Sequence, residues 1–194
     1  MKIPMCYTQP PRGYWLGAAA LALCCLAGAL SKPQLSRAQL IDQAAPRPGP
    51  AIGRTAVAFN LQTLDGASIA LESFRGKPLV INFFASWCDP CREEMPLIKE
   101  LATAGAKQGF SVLGIAVEDS RAAMTEYRQE AKLIFPIALD LNSTVKRAYR
   151  IFGPPATFFI DKQGIIRDMV FGPITRERAL DALKRAGASG KNFK

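Results

Sequence analysis

The sequence predicts an α/β fold, a mixed sheet with helices on both faces, and three observations carry that expectation. Residues 78–85 (PLVINFFA) and 111–117 (SVLGIAV) are short apolar runs rich in strand-forming residues, the pattern of strands covered on both sides. Strand-like and helix-like segments alternate through the middle of the chain, as crossovers between parallel strands require. Turn signals at Asp65-Gly66 and at Asp161-Lys162-Gln163-Gly164 add antiparallel hairpins at either end.

Taken in order, residues 57–61 and 68–71 flank Asp65-Gly66, where glycine accepts the positive φ that tight hairpin turns need. Residues 78–85 then read as a central strand, 89–104 as a helix, 111–117 as a second buried strand and 120–132 as a helix. Residues 135–139, 143–150, 156–161, 165–171 and 175–184 follow as strand, helix, strand, strand and helix. Pro96 cannot donate to the carbonyl of Arg92, so the helix over 89–104 is expected to kink there.

A chain of 194 residues allows one domain with extensions, and 49% hydrophobic residues suffice for a core. No internal repeat is visible. Histidine is absent, which removes the imidazole base of Ser-His-Asp and Cys-His catalysis and an imidazole ligand for zinc. Most hydrolases and zinc enzymes are thereby excluded. The net charge of +9 is made of five basic residues and one acid over residues 1–50, and 20 and 15 over residues 51–194. It is spread thinly: Lys146, Arg147 and Arg150 stand near Asp140, and Arg176 and Arg178 flank Glu177. No cationic stripe tracks a phosphate backbone, so no nucleic acid is expected as a partner.

Residues 13–30 (GYWLGAAALALCCLAGAL) carry no charge and follow Lys2 and Arg12, the pattern of an export signal or a single membrane anchor. Ala27-Gly28-Ala29 offers a peptidase site after Ala29, while 18 residues just suffice to span, and both readings stay open beside a plain core helix. Cys24 and Cys25 read as small apolar members of this segment, and Leu23 fits a lipoprotein signal poorly. Pro33, Pro46, Pro48 and Pro50 make the next stretch extended chain. The expected division is 1–30 signal peptide or anchor, 31–54 Pro-rich linker, 55–186 folded domain and 187–194 tail, the domain lying outside the cytoplasm.

The folded part retains two cysteines, in Trp87-Cys88-Asp89-Pro90-Cys91, where a buried strand ends and a helix begins. Two cysteines so spaced can close a small disulfide ring, and Cys88 sits where free backbone N–H groups stabilise a thiolate. Cys88 is read as the attacking sulfur, and Cys91, one turn in and shielded, as the resolving thiol. Half of a metal site shared between two chains and a purely structural bridge are the alternatives. Arg92 after Cys91 rules out the C-x-x-C-H haem attachment pattern.

Gly76-Lys77-Pro78 leading into VINFFASWCDPCREEMP, followed by YRIFGPPATFFID and Gly164, resembles the membrane-tethered thioredoxin-like family of TlpA, ResA and CcmG over residues 51–186. The resemblance implies a three-layer thioredoxin-like fold with an N-terminal β-hairpin and a βα insertion. It also implies thiol-disulfide oxidoreductase activity with no cofactor or metal, at the periplasmic face of a bacterial inner membrane. By that resemblance Pro155 is the cis-proline that faces the cysteine pair, and X-Pro is the bond at which cis is cheap. Glu94 matches an acid that the resemblance marks as important, whereas Asn82 stands where thioredoxins carry a buried Asp. Glu93 is expected to be solvated. Trp87 resembles an aromatic lip that covers the disulfide and meets a partner. With Trp87, the residues Asp89, Pro90, Phe152 and Pro154 complete the expected substrate-binding set, Pro154 having no N–H to offer a substrate chain. Ala156 departs from the Pro-Glu-Thr-Phe string of the cytochrome c maturation members.

Asp89 places an anion beside Cys88, which disfavours the thiolate and makes the pair reducing rather than strongly oxidising. The resemblance then implies a membrane thiol-electron transporter as donor, and as substrates oxidised cysteine-containing proteins such as apocytochromes c or copper-site subunits. A copper chaperone on the same fold is the non-enzymatic alternative; Sco-type proteins resemble a longer cysteine spacing plus a histidine, both missing here. Peroxidase chemistry wants Thr or Ser three residues before its cysteine, where Cys88 has Ala85.

Overall fold

The computed structural model describes residues 50–188. The expectations for residues 1–30, for most of the linker and for the end of the tail lie outside them. The first hairpin is β1 (Asn60–Thr63) and β2 (Ser68–Ala70), followed by a 3-10 turn (Leu71–Phe74). Then come β3 (Leu79–Phe84), α1 (Asp89–Gln108), β4 (Ser111–Val117), α2 (Arg121–Glu130), β5 (Ile137–Asp140) and α3 (Thr144–Ala148). The chain closes with β6 (Ala156–Ile160), β7 (Ile166–Phe171) and α4 (Arg176–Arg185). One seven-stranded sheet runs β2-β1-β5-β4-β3-β6-β7, with β3, β4 and β5 parallel and the other pairs antiparallel. This is the mixed α/β sheet expected from the alternation of elements.

Strand β3 divides its side chains by the period of two that any strand imposes. Val80 and Phe84 join one core with Met95, Ile98 and Leu101 of α1, Met124 and Tyr127 of α2, and Ala179 and Leu183 of α4. Leu79, Ile81 and Phe83 join the opposite core with Leu71, Val145 and Tyr149. There the rings of Phe83, Tyr149 and Phe158 pack with centroids 5.0 to 5.7 Å apart. Both faces of β3 are therefore dry, which is why its sequence shows no polar alternation apart from Asn82.

Element limits differ from the sequence expectation where a partner strand decides them. The first strand begins at Asn60 rather than at residue 57, because the chain before it pairs elsewhere: Thr55 bridges Ile165, and Ala56 N–H donates to the Gly164 carbonyl at 2.9 Å. Helix α1 continues past residue 104 to Gln108 and passes through Pro96, ending at Gly109 in a left-handed conformation (φ 76°). The 3-10 turn after β2 had no counterpart in the sequence reading.

Gly114, in the middle of β4, is a close-approach position. A Cβ there would come within 2.7 Å of the Phe84 ring and 2.9 Å of the Phe135 ring. Gly114→Ala is expected to destabilise the domain by about 1–3 kcal/mol through this overpacking, measured as a lower urea midpoint. An unchanged midpoint would show that the two rings move aside freely.

Candidate active site

The parallel strands β3, β4 and β5 all point their C-terminal ends the same way, so the turns that follow Phe84, Val117 and Asp140 gather at one edge of the sheet. The β3–β6 register, with Phe83 opposite Ala156, brings Pro155 to the same edge at the level of Phe84. Residues distant in sequence therefore meet around the start of α1.

Cys88 is the N-cap of α1, with extended backbone (φ −90°, ψ 105°), and its Sγ accepts from Cys91 N–H at 3.2 Å. The donor that faces this sulfur is thus a first-turn N–H, that of Cys91, while Arg92 N–H donates to the Cys88 carbonyl at 3.1 Å. Cys88 and Cys91 are joined by a disulfide, with Cα atoms 5.3 Å apart. The two sulfurs differ in access: Cys88 is 4% exposed and Cys91 is 0% exposed. Only the first presents any surface to an incoming disulfide. Asp89 and Pro90 lie exposed in the first turn, and Glu93 is exposed as expected.

The loop ahead of Cys88 is clamped from the neighbouring strand. Ser86 N–H donates to Asp119 Oδ2 at 2.6 Å, and Trp87 Nε1–H donates to the Glu118 carbonyl at 2.9 Å. Trp87 stays 56% exposed, an indole anchored by its polar end with its ring toward solvent. Arg92 Nη1 donates to the Ser86 carbonyl at 3.2 Å, lies over the Tyr127 ring at 4.7 Å and pairs with Glu130. On the other side, residues 152–155 carry Phe152, 97% exposed, a half-buried Pro154 and a buried Pro155. The Pro154–Pro155 bond is cis, and the Pro155 carbonyl accepts from Gly172 N–H at 2.9 Å.

Beneath the disulfide lies a buried polar group. Asn82 and Thr157 are directly opposite in the β3–β6 ladder and face α1. Asn82 Nδ2 donates to Glu94 Oε1 at 2.8 Å and to Thr157 Oγ1 at 3.1 Å, and Ile174 N–H donates to Glu94 Oε2 at 2.9 Å. Glu94 is thus an acid delivered from the helix to the position where Asn82 holds no charge. Burial pushes its pKa above the ordinary 4.5, and the hydrogen bonds from Ile174 and Asn82 oppose that rise only in part. Asn82 Oδ1 has no hydrogen-bond partner.

Cys88, Cys91, Trp87, Asp89, Pro90, Pro154 and Pro155 are brought to this edge, with Glu94 one helical turn below Cys91. Sequence reasoning missed Glu118, Asp119 and Thr157. Their signal was weak: each is a polar residue at or next to the end of a strand, and only the pairing shows which strand ends meet. Among the described residues, no group of three or more Cys, Asp or Glu is placed to hold a metal ion.

Comparison with known proteins adds to this geometry. The AhpC/TSA family model matches residues 52–169. The chain is 36% identical over 137 residues to the thiol-disulfide oxidoreductase ResA of Geobacillus kaustophilus, covering 69% of this chain and 79% of that protein. Among solved structures, a thiol:disulfide interchange protein of the thioredoxin family from Chlorobium tepidum superposes with a TM-score of 0.63 at 30% identity, over 70% of this chain and 97% of that one. A secreted Mycobacterium tuberculosis disulfide oxidoreductase homologous to Escherichia coli DsbE gives a TM-score of 0.58 at 25% identity, over 66% and 94%.

The raised pKa of Glu94 has a consequence for stability. The folded state keeps the Glu94 proton to higher pH than the unfolded chain does, so stability falls as pH rises from the ordinary value of 4.5 through the folded value, and levels off above it. Urea unfolding of the oxidised protein and of Glu94→Gln across pH 4 to 8 checks this, the parent losing ground to the variant over that window. A gap between them that is independent of pH would show that Glu94 titrates alike in both states.

Proposed function

The chain belongs to the AhpC/TSA family and is a thiol-disulfide oxidoreductase, and from that premise we propose that it reduces disulfides of protein substrates outside the cytoplasm, Cys88 attacking and Cys91 resolving. The observation that carries this reading is the asymmetry of the pair: one sulfur at a helix N-cap with surface to offer, the other sealed one turn inside. In the reduced protein the Cys88 thiolate attacks a substrate disulfide, forming a mixed disulfide and releasing one substrate thiolate, which takes up a proton. Cys91 then loses its proton, attacks Cys88 Sγ and releases the second substrate thiolate. Two electrons pass to the substrate, and the enzyme is left with the Cys88–Cys91 disulfide seen here. A membrane thiol-electron transporter supplies the two electrons that reopen it.

Glu94 is assigned the exchange of the Cys91 proton, because a buried acid whose proton affinity is raised by burial lies one turn away and can take up or return it. Trp87, Phe152, Pro154 and Pro155, with Asp89 and Pro90, form the surface that receives the substrate chain. The exposure of Trp87 and Phe152 supports this, since large apolar side chains held open to solvent mark contact surfaces. The reductive direction rests on Asp89 beside Cys88, and the substrates are oxidised cysteines in proteins such as apocytochromes c or copper-site subunits. The location rests on residues 1–30 as a signal peptide or anchor and 31–54 as the linker that joins it to the domain. The secreted Mycobacterium tuberculosis neighbour supports an extracytoplasmic site of action.

Trapping tests the roles. Cys91→Ala is expected to accumulate a mixed disulfide through Cys88, identified by mass spectrometry, while Cys88→Ser accumulates none and loses insulin reduction. Equal alkylation of both thiols at neutral pH would refute the division of labour.

Redox equilibration with glutathione or dithiothreitol tests the direction. The potential is expected nearer thioredoxin, about −270 mV, than DsbA, about −120 mV. Asp89→His is expected to raise it, by removing the anion that disfavours the Cys88 thiolate. A parent value near that of DsbA would make the protein an oxidase.

A further inference from the structure

Glu118 directly follows β4 with φ 53°, a left-handed conformation that is disfavoured for a residue with a Cβ. Three contacts converge on this turn. The Glu118 carbonyl takes the Trp87 indole N–H at 2.9 Å, the adjacent Asp119 carboxylate takes Ser86 N–H at 2.6 Å, and Lys146 Nζ pairs with Glu118 Oε1 at 2.6 Å. The first two serve the loop that carries Cys88. The third comes from α3, a different layer of the fold.

Lys146 is nearly buried, so its ammonium has little water to rely on and depends on its carboxylate partner. Its root is rigid, because the Asp140 carboxylate accepts the backbone N–H of Val145 at 3.2 Å and of Lys146 at 2.7 Å. An anchored cation thus meets a half-exposed carboxylate whose own backbone sits in a disfavoured conformation. Without that pull the turn is free to relax into commoner backbone regions, and the carbonyl leaves the indole.

We propose that Lys146 is a positioning residue of the redox site: its ion pair with Glu118 holds the turn after β4 in the left-handed form that fixes the Trp87 indole next to Cys88. The role reaches the site through two links, Lys146 to Glu118 and Glu118 to Trp87, and Lys146 touches neither cysteine. Its consequence for turnover rests on the reading of Trp87 as a substrate contact.

The test uses the full chain in a Trp15→Phe background, which leaves Trp87 as the single tryptophan of the two. In the reduced protein, Lys146→Met is expected to raise acrylamide quenching of Trp87. The KM for a disulfide-containing protein should rise about two- to tenfold, the worth of one lost hydrogen bond, with kcat little changed. Adding Glu118→Gly to Lys146→Met is expected to restore both, because glycine adopts the left-handed φ without help and keeps the carbonyl. A variant that had merely loosened α3 would not be rescued from β4. Should Lys146→Met fail to fold, Glu118→Gln carries the same test, with the same rise in quenching and KM expected. Unchanged quenching in a folded variant overturns the proposal, as does quenching that Glu118→Gly fails to restore. Raised quenching with an unchanged KM supports the positioning role and overturns instead the assignment of Trp87 to substrate contact.

Discussion

Strand β3 is hydrogen-bonded on both sides, parallel to β4 and antiparallel to β6, and the rest of the site depends on that double pairing. A strand paired on both edges and dry on both faces cannot slip by one residue without turning its whole apolar set over. The point at which it ends is therefore fixed, and with it the N-cap from which Cys88 is presented. The same register decides what stands beside the cysteines: Pro155 from the start of β6, Glu118 and Asp119 from the end of β4. A redox pair on a mobile loop would have no such fixed neighbours.

Burial on both faces also explains the polar group beneath the disulfide. A lone Asn82 in an apolar strand needs partners, and it finds them in Thr157 across the ladder and Glu94 across the layer. The arrangement stores an acid in a dry place with two donors aimed at it, so its proton affinity is set by competition between lost hydration and gained hydrogen bonds. Desolvation is the larger of the two effects. That balance leaves a buried carboxyl group of raised pKa beneath the disulfide, in a chain that contains no histidine.

The surface around the pair is uneven in the opposite sense. Cys91 is sealed, Cys88 barely open, and Trp87 and Phe152 stand out from the same edge. Trp87 is tied down by its indole N–H, which keeps its ring outward at low entropic cost. Phe152 owes its exposure to the loop before Pro155, where the chain has no sheet to join.

Much of this was legible in the residues alone. The apolar runs gave the central strands, the Asp65-Gly66 turn gave the hairpin, and a C-x-x-C pair where strand passes to helix, in a chain without histidine, gave the chemistry. These signals are local: periodicity, turn chemistry and the spacing of two cysteines are complete within a dozen residues. What the sequence left open were relations across layers. That Glu94 and Asn82 touch, that Asp119 caps Ser86, that Lys146 reaches Glu118 and that the first strand starts at Asn60 are set by pairing between segments 12 to 110 residues apart in the chain. Only the folded register brings such groups within hydrogen-bonding distance, and no single segment's pattern encodes which distant carboxylate will arrive.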